Sequence, residues 1–502
     1  MKKANIDVFS HNFKITQFDR DFYRHVLEFC RPLMQVDLGG DKQVTKIFAA
    51  STALRDEFRI HRNMLNDFYR FMENRGIKKE HFVIKEHELP PQTPLALAIK
   101  EGITPRDYQI PIVKFINEPN RPTRVITIQT GRGKTLISIM GMVEWNERVA
   151  ICVPAKFTDK WYSDIVENTD ALADDILYIK KLKDFYALLR NAKDGYEIKQ
   201  KVLVYSNTLI QMFLSDFEAN PKLTVEMACH PEELYEVLKI GYRIIDEVHT
   251  PAHLNFKMDL YTNIRKAVYL TATMDSKDAF MTRMRAIAYP RDDRYQGLAY
   301  DQYIEVRSYA YGLKAPKRAR YKNRKGHYSH VAFEQYVMKH KDVQDRYVSM
   351  ILELLNGEYY AVREVGQKAI VFAATVEFCT ILAEAIRCRW PSLTVGRYVA
   401  EDDYEVLHGN DVVVSTVLSA GTGVDIDGLV YALMTTSLDS SQSNEQVMGR
   451  LRRLKRWPNT TPVFGYLYTG YIDKQFKYHQ NKLQYFKGKA KLHINLDTGA
   501  MI

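Results

Sequence analysis

The sequence predicts an α/β protein in which two parallel-sheet lobes follow a small α+β domain. Three observations predict it. From about residue 96 onward, apolar β-branched runs recur between helical stretches, and strands this apolar suit a parallel sheet covered by helices on both faces. These runs fall into two series, separated by a basic, tyrosine-rich stretch. Ahead of them, residues 1–95 alternate shorter strand-like and helix-like segments. The expected boundaries are therefore 1–95 for an accessory domain, 96–295 for the first lobe, 296–330 for a link and 331–502 for the second lobe.

In the first domain, 6–15 and 81–85 read as strands, and 22–30 and 65–75 as amphipathic helices. The prolines of 88–94 (ELPPQTP) mark a linker. The first series of apolar runs is 124–128, 149–153, 202–205, 242–245 and 267–270. The second is 369–372, 394–398, 412–415, 429–435 and 462–467.

A chain of 502 residues holds roughly three domains of ordinary size. Its net charge of +10 favours a polyanionic partner without requiring one. No apolar run reaches membrane-spanning length, and MKKANIDVFSHNF lacks a signal peptide's apolar core, so a cytoplasmic protein without membrane contact is expected. The five cysteines are scattered with no CxxC pair, which argues against a disulfide framework or a zinc site.

The first motif runs from an apolar strand through a glycine loop into a helix: Arg124-Val-Ile-Thr-Ile-Gln-Thr-Gly-Arg-Gly-Lys-Thr. Gly131 and Gly133 let backbone N–H groups approach phosphate oxygens, with Thr130 and Arg132 completing the loop. Lys134 would reach the β- and γ-phosphates of ATP, and Thr135 would offer its hydroxyl to Mg²⁺. Ile128 stands where the usual phosphate-loop pattern begins with glycine or alanine.

Further on, Tyr242-Arg-Ile-Ile-Asp-Glu-Val-His is an apolar strand ending in two carboxylates. Asp246 would hold Mg²⁺ and Glu247 would activate the attacking water. Upstream, in Thr104-Pro-Arg-Asp-Tyr-Gln, Arg106 could stack on an adenine and Gln109 could read its edge. An ordinary helix start after Pro105 is the competing reading.

In the second series, Gln446-Val-Met-Gly-Arg-Leu-Arg-Arg spaces Gln446, Arg450 and Arg453 by helical turns, so a continuous helix would present them on one face. Charge developing on a transferring phosphoryl group wants guanidinium donors, which makes Arg450 and Arg453 candidate arginine fingers. In Val414-Ser-Thr-Val-Leu-Ser-Ala-Gly-Thr-Gly-Val-Asp, Thr416 could touch a phosphate of a nucleic acid, while Gly423 and Asp425 could face the nucleotide.

These motifs, with Leu270-Thr-Ala-Thr, occur in the order and approximate spacing of superfamily-2 helicases, which the chain resembles over about residues 100–470. The resemblance implies two RecA-like lobes, ATP between them and single-stranded nucleic acid across both. It places Thr271 and Thr273 where hydrolysis is coupled to strand binding. It puts Pro154, Trp161, Thr208 and Thr375 in strand-contacting segments. A narrower resemblance, resting on the small N-terminal domain and compact length, is to bacteriophage branch-migrating DNA helicases, which remodel forks and Holliday junctions in recombination and repair.

Residues 314–325 carry seven positive charges and no acid, with Tyr309, Tyr311, Tyr321 and Tyr328 around them. Lys317, Arg318, Arg320, Arg324 and Lys325 would neutralise phosphates, and Tyr321 would stack on a base. A flexible solvated loop is the alternative. The lysines of 474–491 form a weaker candidate surface. With no base-reading motif, recognition of backbone and shape rather than sequence is expected; the resemblances imply single-stranded and branched DNA as the partner, and a monomer is expected. RNA unwinding, duplex translocation without unwinding and an ATPase-dead binding protein stay open as alternatives.

Overall fold

The structure is a computed structural model that describes all residues except 1–2, 37–43, 51–55, 221–226, 248–251, 273, 275–278, 296–298, 400–401, 404 and 421–425. Two compact units make up the chain: Met1–Ile128 with Gly133–Leu298, and Gln129–Arg132 with Ala299–Ile502.

The first unit begins with a small mixed sheet. Its strands are β1 (Ala4–Val8), β2 (Asn12–Thr16), a separate antiparallel pair β3 (Met34–Val36) and β4 (Val44–Lys46), then β5 (Ala49–Ala50), β6 (Glu57–His61) and β7 (Phe82–Glu86). The sheet order is β5-β6-β2-β1-β7. The single strand expected over 6–15 is a hairpin of two strands, β1 and β2, paired antiparallel from Asn5↔Thr16 to Val8↔Phe13. Helices Arg20–Cys30 and Leu65–Glu73 bury Phe22, Val26, Phe68 and Met72 against it.

This sheet shares its hydrophobic core with the lobe that follows. Asn12 Nδ2 donates to the Asp259 and Thr262 carbonyls (3.2 and 3.1 Å), Arg59 pairs with Glu232, and His61 stacks on Phe256.

The lobe is a six-stranded parallel sheet of β8 (Thr123–Thr127), β9 (Val149–Val153), β10 (Ile176–Ile179), β11 (Val202–Ser206), β12 (Tyr242–Ile245) and β13 (Lys266–Thr271), in the order β10-β11-β9-β12-β13-β8. Every residue of β9, β12 and β13 is buried, as sheets covered on both faces require. β10 was not expected; Tyr178 interrupts its short apolar run.

The second unit holds a seven-stranded parallel sheet of β14 (Glu305–Gly312), β15 (Lys368–Ala373), β16 (Val395–Tyr398), β17 (Val412–Thr416), β18 (Leu429–Met434), β19 (Val463–Tyr468) and β20 (Leu492–Met501), in the order β16-β17-β15-β18-β19-β14-β20. The stretch expected as a link thus supplies a strand inside this sheet. Arg307 and Ser308 break the apolar run of β14, which hid it. Tyr309 and Tyr311 are buried core residues and offer no ring to a base. Lys482, in the weaker basic surface, is likewise buried, with its ammonium over the Tyr466 ring. Burial pushes its pKa down to about 7. Among the described residues no helix is long and apolar enough to cross a membrane.

One buried charge pair fixes the strand that ends at the carboxylates. Arg243, in β12, donates to Asp259 Oδ1 (2.6 Å), Tyr235 Oη (3.0 Å) and Thr262 Oγ1 (2.9 Å), and Tyr269 Oη donates to the same Asp259 oxygen (2.6 Å). Both charged side chains are 1% exposed. Removing one partner of such a pair strands the other charge. Asp259→Ala should therefore lower the free energy of unfolding by about 3–5 kcal/mol, read from denaturant unfolding. A loss under about 1 kcal/mol would mean that the guanidinium keeps its hydrogen bonds without the carboxylate.

Candidate functional site

Parallel strands end on one edge of a sheet, and that edge is where the loops of an open α/β sheet gather ligands. In the first unit the register aligns the strand ends: Thr127↔Thr271, Ile245↔Tyr269, Ile245↔Cys152 and Tyr205↔Cys152. The glycine loop after β8, the carboxylates after β12, Thr271 at the end of β13, Pro154 after β9 and Thr208 after β11 therefore share this edge.

Gly131 and Gly133 have φ of +86° and +76°, a conformation that L side chains rarely adopt. Thr130 and Arg132 are half-buried beside them. Helix Lys134–Trp145 starts at Gly133 with no side-chain cap, which leaves its first-turn N–H groups and the half-buried Thr135 at the loop. The Lys134 ammonium is buried without a hydrogen-bond partner. A buried cation in that condition is costly unless an anion comes to it.

Gln109 is buried, and a Cβ on Gly133 would lie 2.6 Å from its Nε2, so this glycine admits the glutamine amide. Gln109 Oε1 accepts the Arg106 N–H (2.9 Å). A bidentate reading of an adenine edge would require that oxygen to let go. The Arg106 guanidinium is exposed and donates to Tyr108 Oη (3.2 Å).

Asp246 Oδ1 accepts the Glu247 N–H (2.8 Å) and Oδ2 accepts the Trp161 indole N–H (3.0 Å). Burial, then the neighbouring Glu247 charge, raises the Asp246 pKa, against the lowering influence of Lys134. Glu247 has φ of +52°, an uncommon backbone for a non-glycine residue. Two adjacent carboxylates in a buried setting are the donor set a divalent cation relieves. Among the described residues no cluster of three or more His, Cys, Asp or Glu could hold a metal alone. Mg²⁺ commonly takes one or two carboxylates, with phosphate and water completing its shell.

Trp161 is 1% exposed. It therefore has no face for a nucleic-acid strand, contrary to expectation: helix Thr158–Asn168 turns the indole into the core. Pro154 is half-buried and Thr208 exposed at the start of helix Asn207–Ala219. Thr271 is fully buried, and Thr273 lies outside the described residues.

In the second unit, helix Ser441–Met448 closes at Gly449, whose N–H returns to Glu445 O (2.7 Å). Glycine ends the helix, so the one-face argument stops at the half-buried Gln446. Arg450 is buried, whereas Arg453 is exposed and paired with Asp301 by Nε (2.9 Å) and Nη2 (2.5 Å). The guanidinium holds the Asp301 carboxyl below its ordinary range. Asp301 was not singled out from the sequence; it lies 152 residues away from its partner.

Thr375 is nearly buried and caps helix Val376–Arg389. Its Oγ1 accepts the Phe378 N–H (3.3 Å) and donates to Glu334 Oε2 (2.9 Å). Glu334, fully buried, also accepts the Ala374 and Thr375 N–H groups (2.7 and 2.8 Å). Thr375, expected in a strand-contacting segment, thus has its hydroxyl already taken by a carboxylate of this chain. Thr416 is half-buried, and its Oγ1 is 2.8 Å from Ser419 Oγ. Gly423 and Asp425 lie outside the described residues.

The basic stretch is an ordered turn rather than a loose loop. Asn323 Oδ1 accepts the Lys325 and His327 N–H groups (3.0 and 3.1 Å), Gly326 (φ +79°) returns its N–H to Asn323 O, and Lys322 bridges to Tyr328. Lys317, Arg318, Arg320, Arg324 and Lys325 are exposed. Half-buried Tyr321 lies against Tyr328, with ring centroids 6.3 Å apart, and Tyr328 Oη is 2.8 Å from His330 Nδ1.

The fold is α/β, with two RecA-like parallel-sheet lobes and a small sheet domain ahead of them. Among solved structures, it is similar to S. cerevisiae Dbp5 bound to RNA and ADP BeF3, with TM-score 0.51 and 13% identity over 79% of this chain and 90% of that one. It is also similar to a fragment of a putative HsdR subunit of a type I restriction enzyme from Vibrio vulnificus, with TM-score 0.50 and 15% identity over 79% and 70%. T4 UvsW aligns over 99% of this chain and 100% of its own at 13% identity, with a TM-score of only 0.35. No family model matches the sequence, and no curated protein does.

Burial outweighs the three donors on Glu334 and pushes its pKa up from about 4.5 to about 7. Between those values the folded chain keeps a proton that the unfolded chain releases, so this group's contribution to stability falls as pH rises. Unfolding free energies of wild type and Glu334→Gln, compared from pH 5 to 8, should shift in favour of the variant as pH rises. A difference that stays flat across the window would show that the carboxyl titrates normally.

Proposed function

We propose that the chain is an ATP-driven nucleic-acid motor that acts on DNA and remodels branched duplexes such as forks and four-way junctions. The observation that carries this reading is the partnerless, buried Lys134 ammonium at a glycine loop, on the same sheet edge as the Asp246–Glu247 pair. In this reading Lys134 and the amides of the loop hold the β- and γ-phosphates of ATP. Thr135 and Asp246 hold Mg²⁺, which when bound supplies positive charge against the phosphate oxygens. Glu247 orients the attacking water and takes its proton.

Arg450 and Arg453, with Gln446, meet the charge of the transferring phosphoryl group, and for this Arg453 must leave Asp301. Arg106 stacks on the adenine and Gln109 stays with Gly133. ATP-driven opening and closing of the two lobes converts turnover into movement along a strand.

Seven cations over 314–325, none in an ion pair among the described residues, support a polyanionic partner. Lys317, Arg318, Arg320, Arg324 and Lys325 would meet backbone phosphates and Tyr321 a base, with recognition by charge and shape.

Lys134→Ala should lower ATP turnover by at least about 100-fold while leaving most DNA binding, with turnover and filter binding measured on the same preparation. Unchanged turnover would overturn the nucleotide assignment. Steady-state ATPase should rise most with a synthetic four-way junction, above single-stranded DNA, linear duplex DNA and duplex RNA, with the junction resolved into two duplexes. Stimulation by RNA alone would keep the motor and replace its substrate.

A further inference from the structure

Trp161 does something the motif order did not indicate. Its indole is 1% exposed and packs in a core with Val153, Phe157 and Ile165. Its one polar atom, a donor that cannot accept, points at Asp246 Oδ2 from 3.0 Å. The other oxygen of that carboxyl takes the Glu247 N–H at 2.8 Å. Rotation of an aspartate carboxyl about its last torsion is otherwise broad. Donors on both oxygens select one orientation and still leave each oxygen a lone pair.

We infer that Trp161 is a positioning residue for the metal-holding carboxylate: its N–H fixes Asp246 in the orientation that receives Mg²⁺, and ties it to helix Thr158–Asn168. The inference rests on the nucleotide reading above and deepens it. Packing alone does not account for the arrangement, because a phenyl ring would fill a core as well and leave nothing polar to satisfy. The hydrogen bond spans 85 residues of sequence and joins the helix after β9 to the end of β12. It gives the segment beginning at Pro154 a direct mechanical link to the metal carboxylate.

Donors that orient a metal ligand typically account for 10–100-fold in metal affinity. The test is calorimetric binding of ADP with Mg²⁺ and with chelator, on wild type and Trp161→Phe. The expected result is a loss of about 10-fold in MgADP affinity with metal-free ADP binding unchanged, and unchanged affinity for single-stranded DNA in the absence of nucleotide. Should Trp161→Phe fold poorly, β-(3-benzothienyl)alanine at 161 keeps the bicyclic shape and removes only the N–H. Equal loss with and without Mg²⁺, or no loss, would reduce Trp161 to packing and overturn the inference. A fall in DNA affinity without nucleotide would restore the strand contact in its place. Wild type that binds no ADP under either condition would instead overturn the nucleotide reading, and this inference with it.

Discussion

The parallel register of β9, β12 and β13 is the constraint on which the first unit depends. Three adjacent strands buried on both faces leave no room for polar chemistry along their length. Such chemistry is admitted only where the strands stop, and because they are parallel they stop together. The glycine loop, Asp246, Pro154 and Thr208 share one edge for that reason, although they follow four different strands, β8, β12, β9 and β11. β12 carries the additional demand of a charged residue in its middle. Arg243 is tolerated there because Asp259, Tyr235 and Thr262 satisfy it, and the same contacts tie β12 to the helix behind it. The strand that ends in two carboxylates is thus held by a buried charge of the opposite sign.

The two units treat their strand-end polar groups differently. In the second, Thr375 is committed to Glu334, Thr416 lies against Ser419, and Arg453 is paired with Asp301. Each of those groups has a partner from its own unit. In the first, the Lys134 ammonium is buried without one. An unsatisfied buried ammonium costs more than any of the exposed cations of the basic turn, so its retention at a loop of positive-φ glycines is the feature that most needs a ligand. The committed groups of the second unit, by contrast, must exchange partners before they can act on an outside anion. In the proposed reading, exchange of Arg453 from its two-bond pair with Asp301 is a point at which turnover would be gated.

What was legible in the sequence was whatever is local. The glycine loop, the carboxylate pair after an apolar run and both series of buried strands announce themselves within a dozen residues. The misses are of three physical kinds. Some strands lack the apolar run that gives a buried strand away: β14 is broken by Arg307 and Ser308, and β20 is an edge strand with an exposed Leu492 and Met501. The second kind is contact between residues far apart in the chain. Trp161 meets Asp246 across 85 residues and Glu334 meets Thr375 across 41. A motif assigned both Trp161 and Thr375 to strand binding, and only the fold shows that each is turned inward. Gly449 misled in a third way, since spacing of four and three residues suggests a helical face only if the helix continues, and glycine stops it.

The same distinction bears on how nucleic acid would be chosen. Seven cations without acids attract any polyphosphate, and charge alone does not separate deoxyribose from ribose. In the proposed reading, selectivity therefore rests on where those cations are held. Asn323 closes the turn with two accepted N–H groups, Gly326 supplies the positive φ, and Tyr328 anchors the turn's base through His330. A backbone N–H can only donate, so the Ser437 N–H at 3.1 Å makes His330 Nδ1 an acceptor, with the ring proton on Nε2. Tyr328 Oη, at the same nitrogen, is then a donor too. One histidine thus joins the basic turn to the loop that leads into helix Ser441–Met448 and Arg450. A turn fixed at its base in this way presents its charges at set spacings, which favours a partner of matching shape, such as a junction, over one matched in charge alone.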